Sequence, residues 1–435
     1  MGSGPLPTSL GADRDANPMN TVSSLEFRVL SSGSSLDPKP ETRNLKQRSN
    51  PKPETRNPKP LGLYIHIPYC ASRCHYCDFN TYRFDAAQAE QYLQGLAQEI
   101  ELRAAMEAVR RRPLCSIFFG GGTPSILEGS QIGSILDRCR AAFAVEDGVE
   151  ITLEANPGTV DLSKLLAMGE GGINRLSFGA QAAQDRLLQR IGRAHDVYEA
   201  EQAFWLARDA GFNNINFDLM FGLPGQNLDD WSESLGWAIR LRPEHISAYG
   251  LILEEGTRLH QEHRAGSLEL PDEATEAAMY QMTLDRLADA GFDQYEISNF
   301  ARPGFRCRHN LVYWRHQEYL GLGAGAHSFL GGERFYNELL PASYLRAIRE
   351  RGTAVAGGEK LSKELLRSER LMLGLRLREG LDLQTFRDLL DIEDFATSDR
   401  VMGLLDAGFL GLKEGRLQIT ERGLLVANEL IAQLL

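Results

Sequence analysis

The chain has 435 residues, 43% apolar and 24% charged, a globular composition that excludes a collagen-like or wholly disordered polypeptide. Its net charge of −12 is uneven: residues 1–60 carry 9 Lys+Arg against 6 Asp+Glu, leaving 38 against 53 in the rest, a body that would repel a nucleic-acid backbone, so no nucleic-acid partner is expected. Six cysteines are too few for a disulfide scaffold; with no run of about 18 apolar residues and no apolar leader near Met1, we expect a cytoplasmic, reducing location and no transmembrane segment, which leaves room for peripheral membrane association.

Residues 1–60 hold nine of the 18 prolines and a repeated heptapeptide, PKPETRN at 38–44 and 51–57, followed by PKP at 58–60. Such a segment cannot bury enough surface to offset its ordering entropy, and a disordered Pro-rich tail is predicted. From Leu61 the texture changes. LGLYIHIP at 61–68 reads as a strand, 86–112 as a helix, and 114–119 as a buried strand ending in three glycines. Then follow a helix at 130–143, a strand at 150–155, a helix at 162–168, a strand at 173–179 and helices at 184–191 and 197–210. A strand at 214–221, a helix at 228–241, a strand at 245–253 and a helix at 272–290 complete six strand–helix units. Alternation of this kind builds a parallel sheet, and right-handed crossovers curl it into a barrel or partial barrel with reactive residues at the C-terminal ends of strands. Residues 301–360 read as a connecting segment rich in Gly, His and aromatics. Residues 361–435 read as a small helical, winged-helix-like domain with a hairpin at 410–420 turning at Glu414-Gly415.

The strongest chemical signal is Cys70, Cys74 and Cys77, spaced C-x3-C-x2-C just after the first strand. Three thiolates this close can hold three irons of a cubane cluster and leave the fourth iron open to a chelating ligand. A zinc knuckle completed by His75 or His66 is the alternative. The second signal is FGGGTP at 119–124, where glycines let backbone groups approach a ligand closely, or simply make a tight turn. The third is a set of polar residues interrupting apolar strands near their C-terminal ends: Glu154, Gln181 and Asp218. Carboxylates there suit ribose hydroxyls and Arg193 suits a ligand carboxylate, although each residue alone also reads as a cap. The last signal is His309-Asn-Leu-Val-Tyr313-Trp314: an imidazole for iron and flat rings for a macrocycle, or a satisfied core histidine. Cys307 is a competing thiolate ligand. Cys115 and Cys139 read as small buried hydrophobes.

The cysteine spacing, with an aromatic at Tyr76, resembles the radical S-adenosylmethionine (SAM) superfamily. YIHIPYC, GGGTPS, ANPGT, RLSFGAQ, DLMFGLPGQ and YEISNFARPG over about residues 61–430 resemble its oxygen-independent coproporphyrinogen III oxidase branch. The resemblance implies an α/β fold: a partial (β/α)6 radical-SAM barrel at 61–300 with the small C-terminal domain at 361–435. It implies a [4Fe–4S] cluster on the three cysteines and SAM among Tyr64, Tyr76, Gly121, Gly122, Thr123, Glu154, Gln181, Arg193 and Asp218, with Ile252 and His327 at further contact positions. The oxidases carry a fourth cysteine two residues after the third, where this chain has Phe79, and a long N-terminal segment that has no counterpart here. CDFN, GFDQYEISNF and the HNxxYW string instead resemble the HemW subgroup, described as heme chaperones. That implies heme as a third cofactor, bound with His309, Tyr313 and Trp314, an electron donor, and a heme-acceptor protein. The expectation is a heme chaperone rather than a coproporphyrinogen III dehydrogenase making protoporphyrinogen by radical decarboxylation.

Overall fold

The computed structural model describes residues 59–392 and 398–435; the expected Pro-rich tail, through residue 58, lies outside the described residues. The alternation read from sequence appears as six parallel strands in chain order: β1 (Leu61–Ile67), β2 (Leu114–Gly121), β3 (Val145–Ala155), β4 (Arg175–Gln181), β5 (Ile215–Phe221) and β6 (His245–Gly250). Five helices of this region begin at a side-chain cap: Asp85, Asp161, Asp196, Asn227 and Asp272 each accept from a backbone N–H in the first turn.

Both faces of these strands are covered, but by different chemistry. Outward residues such as Ile65, Ile117, Leu153, Phe178 and Phe217 are fully buried under the helices. The alternate residues face the concave side and are largely polar: Ser116, Glu150, Thr152, Arg175, Ser177, Asn216 and His245 are all buried too. Period-2 alternation therefore marks a polar lumen here rather than a solvent face.

The sheet is larger than the sequence suggested. At one edge β8 (Asn299–Ala301) pairs antiparallel with β6, and the short β7 (Asp293–Gln294) pairs antiparallel with β8 at the outside. At the other, β9 (Tyr319–Leu322) pairs parallel with β1. Beyond it β10 (His327–Leu330), β11 (Glu333–Asn337) and β12 (Val355–Lys360) continue antiparallel, so segment 301–360 supplies four strands to a 12-stranded open sheet. These strands are short and carry Gly321, Gly357 and Gly358, with Gly323 and Gly325 in the turn between β9 and β10, which obscures a strand pattern in sequence.

Between β8 and β9 runs the helix Arg308–Trp314, which crosses the N-terminal opening of the lumen. Glu150 of β3 caps its start, accepting from Arg308 N at 3.0 Å and His309 N at 3.1 Å. Val312 packs on Gly62 of β1 at the far end. We refer to it as the plug helix. The C-terminal region has helices at Lys363–Arg376, Leu383–Leu390 and Asp399–Asp406 around a three-stranded sheet that includes the expected hairpin, Leu410–Lys413 with Arg416–Ile419. After the hairpin the chain ends in two helices, Glu421–Leu424 and Ala427–Leu434, separated where it leaves helical geometry at Val426.

Candidate functional site

The site lies at the C-terminal mouth of the lumen. The three cysteines occupy a loop that leaves β1 and is pinned by short contacts. Gly122 N donates to Ile67 O and Thr123 N to Tyr69 O, both at 2.8 Å. The glycines are demanded by this crossing: a Cβ on Gly122 would lie 2.6 Å from Tyr69 O, and one on Gly121, at φ +110°, would strike the His66 ring. On the far side His75 N donates to Ile191 O at 2.9 Å. Tyr76 packs into an apolar cluster with Leu187, Ile191, Met220 and Leu259.

Thr123 Oγ1 lies 3.4 Å from Cys70 Sγ and Arg193 Nη1 lies 3.5 Å from Cys74 Sγ, so two of the three sulfurs already meet donors. Burial raises the Cys70 thiol and pushes Cys77 up to about 12, with Cys74 opposing a second negative charge. Three thiolates together therefore call for the positive charge that iron brings. The zinc alternative lacks a fourth ligand. The His66 nitrogens face Tyr64 Oη and Asn80 O, and those of His75 face Arg190 O and Arg258 Nη1, all at 3.0 Å. The donor set fits a cluster that spreads three thiolates over three irons.

Beside the cysteines, Glu154 accepts from Gly121 N at 3.2 Å and lies against Tyr64 and Gly120. Gln181, the last residue of β4, has φ +70°, and Ala182 N bonds back to Ala180 O across it. This strained three-residue turn aims the Gln181 side chain at Tyr249, whose hydroxyl donates to it at 3.0 Å. Arg193 donates to Asn156 Oδ1 at 2.9 Å while its buried Nε has no partner. That orphan donor, beside two cysteines and a free strand end, suits a ligand carboxylate.

Asp218 departs from the sequence reading. It was expected near the C-terminal end of its strand, but Leu219, Met220 and Phe221 continue pairing with β6, so it sits in the lumen wall. There it accepts from Asn216 Nδ2 at 2.8 Å and Ser177 Oγ at 3.2 Å. Of the further contact positions, Ile252 follows β6 and is half-buried, and His327 opens β10, buried with its Nδ1 unpartnered.

Burial pushes Glu154 up to about 8 from its ordinary 4.5, and the Asp218 charge adds to this. Between those values the folded chain holds a proton that the unfolded chain has released. Stability of the cofactor-free chain therefore falls as pH rises through that window. Glu154→Gln is expected to remove on the order of 2 kcal/mol of this fall. Urea midpoints at pH 5 and pH 8 check it; equal slopes in parent and variant would refute it.

The HNxxYW residues are not in an open cleft. His309 is 1% exposed, stacked on Phe118 at 5.0 Å, with its two nitrogens 2.9 Å from Ser116 Oγ and Tyr313 Oη. Tyr313 and Trp314 are buried beside it. With both nitrogens engaged, His309 cannot ligate iron in this conformation. The cause is the Glu150 cap, which seats the plug helix in the lumen, an interaction across about 160 residues that no local pattern reveals. Sequence reasoning also missed Ser177, Asn216 and Tyr249, ordinary strand residues whose role appears only once three strands stand side by side.

The radical SAM superfamily profile matches residues 64–238 and the HemN C-terminal domain profile matches 361–426. Coproporphyrinogen III oxidase (HemN) from Escherichia coli superposes with a TM-score of 0.74 at 25% identity, covering 87% of this chain and 91% of that one. Fold and site thus define a radical SAM protein with a HemN-type C-terminal domain, a class that implies a [4Fe–4S] cluster and SAM. Heme chaperone HemW of Bacillus subtilis is 37% identical over 86% of this chain and 98% of its own length. HemW of Haemophilus influenzae is 37% identical over 86% and 97%, and a mitochondrial radical SAM domain-containing protein of Bos taurus 37% over 86% and 87%. The chain belongs to the HemW family. Among the described residues no helix is long and apolar enough to cross a membrane.

Proposed function

We propose that this protein is a heme chaperone of the radical SAM type, which binds heme, a [4Fe–4S] cluster and SAM and passes heme to an acceptor protein. The observation that carries the reading is the cysteine triad at the lumen mouth with Phe79 in place of a fourth cysteine, in a chain that also keeps the HNxxYW string. Cys70, Cys74 and Cys77 hold the cluster. Gly121, Gly122 and Thr123 offer backbone groups to SAM, Arg193 its orphan donor to the SAM carboxylate, and Tyr76 an aromatic wall. Tyr64, Glu154, Gln181 and Asp218 line the lumen below. When bound, the cluster and SAM supply one-electron reductive chemistry, for which an electron donor is needed; the protein's share is to orient them and exclude water.

His309, Tyr313 and Trp314 contribute to heme binding once the plug helix moves. Burial, with the Arg175 charge adding, lowers His309 to about 3, so its imidazole is in the neutral form that ligates iron. His309→Ala is expected to weaken heme retention about tenfold or more while leaving cluster iron unchanged. A heme titration followed at the Soret band checks this. Retention lost in Cys307→Ala but not in His309→Ala would move the ligand to the thiolate. An anaerobic assay with coproporphyrinogen III, SAM and reductant tests the whole reading: decarboxylated product would replace it with the oxidase activity.

A further inference from the structure

The pairing of β3 with β4 sets Thr152 directly beside Arg175, one step below the pair Glu154 and Ser177. Both side chains face the lumen, near its floor. Arg175 is 2% exposed and Thr152 0%. Arg175 Nε and Thr152 Oγ1 are both buried without a hydrogen-bond partner, while the Glu150 and Asp218 charges help keep the guanidinium protonated.

The nearby carboxylates are committed elsewhere. Glu150 accepts from Cys307 Sγ at 3.5 Å and from the first backbone N–H groups of the plug helix. Asp218 accepts from Asn216 and Ser177. The lumen histidines His245 and His309 are neutral, both lowered by burial and then by the Arg175 charge, so neither adds a competing positive charge. What remains is a buried guanidinium Nε and an adjacent hydroxyl, neither with a hydrogen-bond partner. A buried donor without an acceptor is costly, and a planar guanidinium fork matches a carboxylate.

We infer that Arg175 and Thr152 form a carboxylate-binding floor in the lumen. Two sources of that carboxylate fit: a heme propionate, in which case the site deepens the heme reading and rests on it, or a small free acid entering from the mouth. The floor lies beside His309, so a propionate held there would place a macrocycle against the plug helix.

The test uses the full chain reconstituted with its cluster, together with Arg175→Gln and Thr152→Val. Thr152→Val keeps shape and charge and serves if Arg175→Gln does not fold. Each protein is titrated with heme and with heme dimethyl ester, read at the Soret band. Thermal midpoints are read in acetate against chloride at equal ionic strength. For a propionate the parent should bind heme about tenfold more tightly than the ester, and the variants should lose that preference. For a small acid, acetate should raise the midpoint of the parent and not of the variants. Equal retention of heme and ester, with no acetate effect, overturns the site and leaves the heme reading standing. Retention of neither porphyrin sinks the heme reading, and the acetate arm then decides the site by itself.

Discussion

Cys74→Ala is expected to bring anaerobic reconstitution far below the about four irons per chain of a filled cubane. Cys74 is the middle thiol of the triad and its sulfur meets Arg193 Nη1. Removing it takes one of three ligands and leaves a buried guanidinium without that partner, so both cluster and mouth should suffer. Cys115→Ala, well outside the loop, should reconstitute as the parent does. Iron and sulfide analysis of the three proteins gives the answer directly. Equal iron in Cys74→Ala and the parent would remove the cluster assignment and, with it, the reading of the mouth as a cofactor site.

The largest stability effect should come from a residue far from that chemistry. Glu99 is buried on the helix Ala86–Ala104 and accepts from five donors: Arg103 Nε and Nη2 at 3.2 Å, and Asn337 Nδ2, Gly323 N and Tyr344 Oη at 2.8 Å. It ties the first helix to the edge strands β9–β12. Tyr92 on the same helix accepts from Ala324 N and donates to His66 O, both at 2.8 Å, which carries the tie to the base of the cysteine loop. Glu99→Ala strands Arg103 as an uncompensated buried charge and is expected to cost about 3–5 kcal/mol. Denaturant midpoints check it. Glu99→Leu combined with Arg103→Met should recover part of the loss, since the stranded charge goes too. An unchanged midpoint in Glu99→Ala would show the network to be energetically idle.

How far these residues could be read from the chain alone depended on sequence distance. The cysteine triad spans eight residues and needs no tertiary partner to be recognised, because iron–sulfur ligation sets its spacing. The strand–helix units were equally plain, since period 2 and period 3.6 are local and the caps Asp85, Asp161, Asp196, Asn227 and Asp272 stand at the starts of helices. Glu154 and Gln181 stood out because a polar residue at the end of a buried strand is a local anomaly. Asp218 stood out by the same signal, but the sequence put it too near the rim, because the end of a strand depends on how far its neighbour goes on pairing.

The remainder was decided in three dimensions. β9–β12 carry too many glycines to declare themselves, and they become strands because β1 offers a free edge to β9. Arg175-Leu-Ser-Phe-Gly-Ala-Gln181 alternates like a strand with one polar face exposed; only the packing around it, the plug helix included, turns that face into a buried polar lumen. HNxxYW fixed which residue types were present, while the Glu150 cap decided that His309 faces Ser116 and Tyr313. By itself, then, the sequence determined the alternation, the cysteine triad and the family these motifs define. The tertiary structure alone decided the depth of Asp218, the seating of the plug and the pairing of Arg175 with Thr152. Those depend on register and burial between segments tens to hundreds of residues apart, and a buried polar atom is recognisable as unsatisfied only when every neighbour is in place.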